Sequence, residues 1–467
     1  MNLKKLHVNL FEMNCVSHIT HGLWVHPDNN RHRFNDLDYW TELAQLLEAG
    51  GFDAVFLADV IGTYDVFRNG PETALREGMQ IPSNDPMLVI PAMAAVTRHL
   101  GFGVTFSTTY EPPFAFARRM STLDHLTKGR VGWNIVTSYL PNAARNFGHD
   151  DEVRHDQRYE IADEYLDVLY KLWEGSWDDD AVVQDRENRV YTDPTKVRYI
   201  DHVGDYYKVA GPHLCQPSRQ RTPVLFQATG SPAGSEFAGR HAEVVFTGGK
   251  SHETIRRNIQ TMRDKAVAHG RAPDSIKFVV MASIITGRTD EEVARKLQAY
   301  GQLLSVEGSM AHFQLPVDLL AYPRDEVVAN IIRREKLASL FLDYFPQDET
   351  VGQALDRLGS LDQGYFFVAG TPQVVADRIE QWLDEDGIDG INLRQFMSFE
   401  TARDFIELVV PELRKRGRYR EAYEPGETLR ERLFGAGQAK LPANHFASRY
   451  RDPQALKQPA RPLRFEQ

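Results

Sequence analysis

The chain has 467 residues, of which 42% are hydrophobic and 25% are charged, and its formal net charge is −11. This composition is typical of a globular protein rather than of a disordered chain. The negative balance and the lack of a long basic run argue against nucleic acid as a partner, because phosphate binding needs clustered Lys and Arg.

The two cysteines, Cys15 and Cys215, cannot form a disulfide framework and indicate free thiols in a reducing cytoplasm. The opening MNLKKLHVNLFEMNC carries two lysines without a long apolar run behind them, so it predicts neither a signal peptide nor a membrane span. We therefore expect a cytoplasmic protein without a membrane partner.

Strand-like and helical patterns alternate along the chain. The first strand, LHVNLF, precedes the helical segment DLDYWTELAQLLEAGG, in which Tyr39, Leu43 and Leu47 share a face. FDAVFLAD is almost continuously apolar, which is typical of a strand covered on both faces. NDPMLVIPAMAAVTRHL predicts a helix capped by Asn84 or Asp85. The predicted strands are LHVNLF, AVFLA, GFGVTF, RVGWNIV, PVLFQA, EVVFTG, KFVVMAS and GINLRQF.

Eight strands, mostly separated by helices, predict an α/β protein with a TIM-type (β/α)₈ barrel. A doubly wound sheet is the main rival, but the Gly-rich first turn typical of that fold does not follow LHVNLF. We expect one barrel domain over residues 1–417, with insertions at about 178–210 and 307–366, the second of which would serve as a lid. Residues 418–467 are expected to form an extended arm, either solvated or clasping another subunit.

Chemistry in such barrels gathers at the carboxyl ends of the strands. That rule selects mild polar groups, and motifs of hydrolysis or metal binding such as HExxH, GxSxG and CxxC are absent. His18 and His21 form an HxxH pair, which alone is weak support for a metal. A site lined by such weakly reactive polar groups suits a bound organic cofactor that supplies the reactivity. The selected positions are Asn14, Cys15, Asp59, Ser107 to Thr109, Asn134 to Ser138, Ala228 to Ser231, Asn392 and Arg394.

Two segments carry a family resemblance. GRVGWNIVTSYLPNAARNFG and HDQRYEIADEYLDVLYKLWEGSW resemble the luciferase-like flavin-dependent monooxygenases related to nitrilotriacetate and dibenzothiophene-sulfone monooxygenases. The resemblance extends to about residue 450. FEMNCVSHITHGLW, HRFNDLDYWTELAQLLE and FSTTYEPPFAFARRMSTLDHLTKGR are most similar to the long-chain alkane monooxygenase branch and next to the dimethyl-sulfide branch.

The resemblance implies a luciferase-like barrel that uses FMN, supplied as FMNH₂ by a separate reductase, together with O₂. It also implies a homodimer or homotetramer. The FMN contacts that it implies are Asp59, Asn134, Ser138, Tyr159 and Ser231, with His155 as a weaker candidate. The substrate-pocket positions that it implies are Cys15, His18, Tyr64, Gln80 and His312.

Three positions depart from the family pattern. Tyr139 stands where the alkane branch has His, and FQLPVDLLAYP follows His312 where that branch has a Gly-rich stretch. Thr229 stands in QATGSPAG where the relatives have Gly. From the residues alone, Ser231 fits a phosphate contact at a helix start and a plain N-cap equally well.

By resemblance, the reaction is monooxygenation through a peroxyflavin, which needs a pocket that excludes water. We expect a small apolar or sulfur-containing substrate, with a long-chain alkane as the first choice and a dialkyl sulfide or aromatic sulfone as the alternative. More distant alternatives are a deazaflavin-dependent oxidoreductase and a non-catalytic flavin-binding protein. His18 and His312 are candidate proton donors near neutral pH.

Overall fold

The barrel is closed by eight parallel strands in a computed structural model that describes residues 3–150, 152–337, 344–362, 364–458 and 462–465. Each strand pairs with the next along the chain, and the last returns to the first by pairing Gly390 with His7. The predicted barrel and its eight strands are confirmed. The strands are β1 (His7–Met13), β2 (Ala54–Ala58), β3 (Gly101–Ser107), β4 (Val131–Val136), β5 (Val224–Ala228), β6 (Val244–Phe246), β7 (Lys277–Thr286) and β8 (Gly390–Arg394).

Helices surround the barrel and cover the outward faces of its strands. Both faces of a strand are then buried, which explains the continuous apolar runs such as AVFLA. Three of the helices continue into a single π turn, over Lys171–Gly175, Trp382–Asp386 and Phe405–Val409. The surrounding helices are Leu37–Ala49, Ile90–Ala95, Pro113–Leu126, His155–Tyr170, Pro232–His241, His252–Ala268, Asp290–Gly301, Pro372–Gln381, Glu400–Asp404 and Val410–Lys415. Shorter helices are Glu72–Arg76, Pro141–Asn146, Val306–His312, Val328–Arg334, Val351–Leu358 and Leu429–Phe434.

The helix predicted over residues 84–100 is shorter in the structure. Asp85 caps it by accepting a hydrogen bond from the Met87 N–H, and a 3₁₀ turn leads into Ile90–Ala95. Beyond that point the Glu48 carboxylate accepts the N–H groups of residues 98–100 at 2.6 to 3.0 Å. These bonds replace helical ones, so the chain leaves the helix early and enters β3.

The two predicted insertions have their own structure. The first contains two hairpins, which pair Val182–Asp185 with Val190–Thr192 and His202–Val203 with Lys208–Val209. The second contains short helices whose apolar side chains pack with Tyr64 and Leu140, from the loops after β2 and β4. This places it beside the carboxyl ends of the strands, where we predicted a lid; residues 338–343 and 363 of it lie outside the described parts of the chain. A further strand, Phe367–Gly370, was missed and pairs with the end of β7.

The amino end of the barrel is filled by the C-terminal segment. Leu429 and Leu433 pack against inward-facing residues such as Phe56 and Val224. Arg430 is almost fully buried, and its guanidinium contacts the Glu243 carboxylate at 2.7 Å. Beyond the short helix Leu429–Phe434, the chain follows the outside of the barrel. The described part of this segment is therefore packed on its own barrel, whereas the division at residue 417 and a role in clasping a partner stay predictions.

Candidate active site

A cavity of about 370 Å³ opens at the carboxyl ends of β2 and β3. A narrower recess continues from it between β3 and the loop after β4. Met281, on β7 within the barrel, is 40% exposed, so the interior itself is open at this end. The cavity is lined by Asp59 to Thr63, Gln80, Ile81, Ser83 to Asp85, Phe106 and Asn146. The recess adds Thr105, Ser107, Ser138 to Leu140 and Ala143.

Asp59 borders both the cavity and the recess. Burial raises the pKa of its carboxyl to about 7, and the negative charge of nearby Asp85 adds to the rise. The Val60 N–H donates to the carboxylate and opposes the shift. Asp59 therefore exchanges a proton near neutral pH, which is a property of groups in functional sites more often than elsewhere.

The wall formed by β4 carries two of the predicted cofactor residues. Asn134 donates from Nδ2 to Thr105 Oγ1 at 2.9 Å, while its buried Oδ1 lacks a hydrogen-bond partner among the described residues. Ser138 donates to Ser107 Oγ at 2.7 Å and lines the recess with Asp59. Its φ of 54° is a left-handed conformation that costs about 1 kcal/mol or more outside glycine, and such residues cluster at functional sites.

A second group of hydroxyls meets at the start of the helix Pro232–His241, which follows β5. Ser231 caps this helix by accepting the Gly234 N–H at 3.1 Å. A Cβ built on Gly234 would lie 2.7 Å from Tyr159 Oη and 3.0 Å from Ser231 Oγ, so the two predicted residues face one small space. His155 is half exposed, and its ring contacts that of Tyr159 with centroids 5.3 Å apart.

Three of the predicted substrate residues, His18, Gln80 and Tyr64, form a hydrogen-bonded chain beside the cavity, whereas the Cys15 thiol donates to the Ser17 carbonyl. Gln80 Nε2 donates to the His18 carbonyl at 3.1 Å, and the Tyr64 hydroxyl donates to Gln80 Oε1 at 3.1 Å. The Tyr139 hydroxyl lies 2.6 Å from that of Tyr64. Because the His18 carbonyl only accepts, it fixes the Gln80 amide, which in turn fixes Tyr64 as a donor. Tyr139 must then donate to Tyr64, and it faces the recess with oxygen lone pairs.

His312 joins this group through His21. The imidazole nitrogens His21 Nε2 and His312 Nδ1 are 2.8 Å apart, and the His312 ring contacts Tyr64 at 5.4 Å between centroids. His312 is thus a half-buried, bonded residue rather than a surface one. The contact also joins the N-terminal loop to the second insertion.

The predicted substrate residues Cys15, His18, Tyr64 and His312 are uncharged at neutral pH. Burial lowers the pKa of His18 well below its usual value and that of His312 to about 4, in both cases with help from the nearby Arg394 cation. Burial also raises the pKa of the Cys15 thiol to about 12, and it raises the pKa of the Tyr64 hydroxyl well above its usual value. The expectation that His18 and His312 titrate near neutral pH is therefore wrong, although neutral imidazoles still donate and accept hydrogen bonds.

Comparison with known proteins places this geometry in a family. A family model described as luciferase-like monooxygenase matches residues 13–390. The chain belongs to the luciferase-like monooxygenase family. It is accordingly a monooxygenase, an oxidoreductase that acts with O₂.

Two relatives of this luciferase-like monooxygenase match over almost their full length. Identity is 53% over 452 residues with the long-chain alkane monooxygenase of Geobacillus thermodenitrificans (strain NG80-2), covering 96% of this chain and 98% of that protein. It is 47% over 456 residues with the dimethyl-sulfide monooxygenase of Hyphomicrobium sulfonivorans, covering 96% and 94%.

Solved structures agree with the sequence matches. The crystal structure of a long-chain alkane monooxygenase gives a TM-score of 0.89 at 53% identity, covering 96% of this chain and 100% of that one. That of a riboflavin lyase with modified FMN and riboflavin gives 0.85 at 38% identity, with the same two coverages. The predicted family is therefore confirmed.

The monooxygenase site contains residues whose roles the sequence did not reveal. His21 was considered only for metal binding, yet it pairs with His312. Within the described residues, His, Cys, Asp and Glu side chains form no group of three that could hold a metal ion. Tyr139 and Thr229 were noticed as departures from the family pattern, but nothing in their spacing indicated what they contact. A search of the described helices finds none with the length and apolarity to span a bilayer.

Proposed function

We propose that this monooxygenase uses FMNH₂, delivered by a separate reductase, to oxygenate a small apolar or sulfur-containing molecule. A long-chain alkane is the first candidate, and a dialkyl sulfide or an aromatic sulfone is the alternative. We infer the substrate class from the neutral state of the predicted substrate residues, which are Cys15, His18, Tyr64 and His312. Neutral groups beside the cavity provide no charge to pair with an anionic substrate and are compatible with an apolar one.

The polar groups around the mouth fit a reduced flavin. The orphan Asn134 Oδ1 is a buried acceptor of the kind that a ring N–H satisfies, and the Tyr159 and Ser231 hydroxyls lie together at a helix N-terminus, where an oxyanion is favoured. In this proposal Asp59, Asn134 and Ser138 contact the ring, while Tyr159 and Ser231 hold the phosphate with His155 at its edge. Bound FMNH₂ supplies the electrons that activate O₂.

The residues of the chain position the substrate and exclude water from the site. Tyr139, Tyr64 and Gln80 are joined in one hydrogen-bonded row, which satisfies their polar groups without water. The helices of the second insertion pack on Tyr64 and Leu140 and cover the same side. Exclusion of water is what directs oxygen to substrate instead of releasing it as peroxide.

The related alkane and dimethyl-sulfide enzymes support oxygenation of small uncharged molecules, and the solved riboflavin lyase with modified FMN supports flavin use. We further propose a cytoplasmic homodimer or homotetramer. Because the flavin has to move between the reductase and this chain, oxidised FMN should leave during gel filtration. A yellow protein that retains one FMN per chain would contradict delivery by a reductase.

The decisive experiment supplies FMN, NADH, a flavin reductase and ¹⁸O₂, with a panel of alkanes, dialkyl sulfides, aromatic sulfones and polycarboxylates. We expect one ¹⁸O atom in the product of an apolar or sulfur substrate and peroxide alone with polycarboxylates. Asn134→Ala should lose turnover, whereas Asn330→Ala, at an exposed position of the helix Val328–Arg334, should not. Reduction of a substrate by reduced deazaflavin without O₂ would favour the hydride-transfer alternative. Flavin binding without any product would favour a non-catalytic role.

A further inference from the structure

Three hydroxyl groups converge on the first turn of the helix Pro232–His241. A Cβ on Gly234 would lie 2.0 Å from Thr229 Oγ1, 2.7 Å from Tyr159 Oη and 3.0 Å from Ser231 Oγ. Glycine is therefore required there by space, since its φ is not in the left-handed region. The hydroxyls occupy the space that a side chain would need, so three O–H donors lie beside the N-terminal N–H groups of a ten-residue helix.

The protons of these three hydroxyls have no acceptor among the described residues. Thr229 Oγ1 is shielded from solvent and has no hydrogen bond among the described residues. Tyr159 is nine-tenths buried, and the described parts of the chain provide no hydrogen bond for its hydroxyl. Ser231 Oγ accepts the Gly234 N–H, so its own proton is available to another acceptor. Leaving buried donors unpaired is costly, which indicates that a ligand with several acceptor oxygens completes the group.

We infer that Thr229 binds the phosphate of FMN in this enzyme, as a third hydroxyl beside Tyr159 and Ser231. The inference rests on the proposed use of FMN and extends it to a residue that departs from the glycine of the family pattern. A hydroxyl at position 229 adds a charge-assisted hydrogen bond to a phosphate oxygen, and it adds nothing to the binding of a flavin without a phosphate. Thr229 therefore increases the preference for FMN over riboflavin beyond what Tyr159 and Ser231 provide.

The test compares the Kd of oxidised FMN with that of riboflavin, by quenching of flavin fluorescence at constant ionic strength. Thr229→Val keeps the shape and removes the hydroxyl, and it should raise the Kd for FMN about tenfold, as expected for one charge-assisted hydrogen bond. The Kd for riboflavin should change less than about twofold. Thr229→Ser keeps the hydroxyl and should retain the wild-type Kd ratio, while Thr229→Gly should reduce that ratio as Val does.

The outcomes separate this inference from the proposed function. If wild-type protein binds neither flavin, the use of FMN fails and the role of Thr229 fails with it. If both flavins bind and Thr229→Val weakens them equally, or weakens neither, only the assignment of Thr229 is overturned. Thr229→Gly repeats the measurement if the Val variant does not fold, as judged by its circular dichroism and melting temperature.

Discussion

Replacing Asp59 by Asn should change how the stability of this protein depends on pH. Burial and the charge of Asp85 raise the pKa of the Asp59 carboxyl from 3.8 to about 7. Each tenfold change in acidity corresponds to about 1.4 kcal/mol, so the full shift corresponds to about 4 kcal/mol. Because Asp59 borders an open cavity, screening by water reduces the expected effect to about 2 kcal/mol.

The sign follows from which state binds the proton. Between pH 4 and 7 the folded protein keeps the Asp59 proton and the unfolded chain does not, so wild-type stability falls as the pH rises through this window. Above about pH 7 the loss is complete. The amide introduced by Asp59→Asn is neutral at every pH and has no such loss. The stability of this variant relative to wild type should therefore increase from pH 5 to 7. At pH 8 its free energy of unfolding should exceed that of wild type by about 2 kcal/mol.

The assay is urea unfolding of both proteins at pH 5, 6, 7 and 8. Asp274→Asn, at an exposed turn, is the matched control and should follow wild type at every pH. Asp85→Asn preserves the cap on the Met87 N–H but removes the charge, so it should move the change to lower pH. Curves for wild type and Asp59→Asn that stay parallel from pH 5 to 8 would refute the reasoning.

Two further predictions concern packing and the hydroxyl chain. Leu429→Ala removes a fully buried side chain at the closed end of the barrel and should cost about 2–5 kcal/mol, whereas Leu88→Ala, at a residue 75% exposed, should cost less than about 0.5 kcal/mol; equal melting temperatures would contradict the packing. Tyr64→Phe breaks two hydrogen bonds and Tyr139→Phe breaks one, so Tyr64→Phe should be the more destabilising by about 1 kcal/mol in urea titrations; the reverse order would contradict this difference in hydrogen bonds.

The barrel was predictable because its signal is local and repeated. AVFLA and GFGVTF are recognisable as strands on their own, and helical segments lie between most of the eight strands. The strand-end rule also pointed to Asp59, Asn134 and Ser138 before any contact was known. The contacts of these residues with a flavin stay a prediction.

The rest was not predictable because it depends on contacts between distant segments. His21 and His312 are 291 positions apart, and no periodicity relates them. The charge states of His18 and Asp59 follow from burial and from neighbours such as Arg394 and Asp85, which only the folded chain brings close. The strand Phe367–Gly370 is short and pairs outside the barrel, so it lacked the pattern used to count strands.

The C-terminal helix that carries Leu429 and Leu433 determines from which end molecules can enter the barrel. Because this helix closes one end of the barrel, the reduced flavin, O₂ and substrate of the proposed reaction would all enter through the opposite end. A large molecule that binds first would block the entry of the next one. In the proposed reaction, the order in which flavin and substrate bind, and not their affinities alone, would then decide how many turnovers end in product.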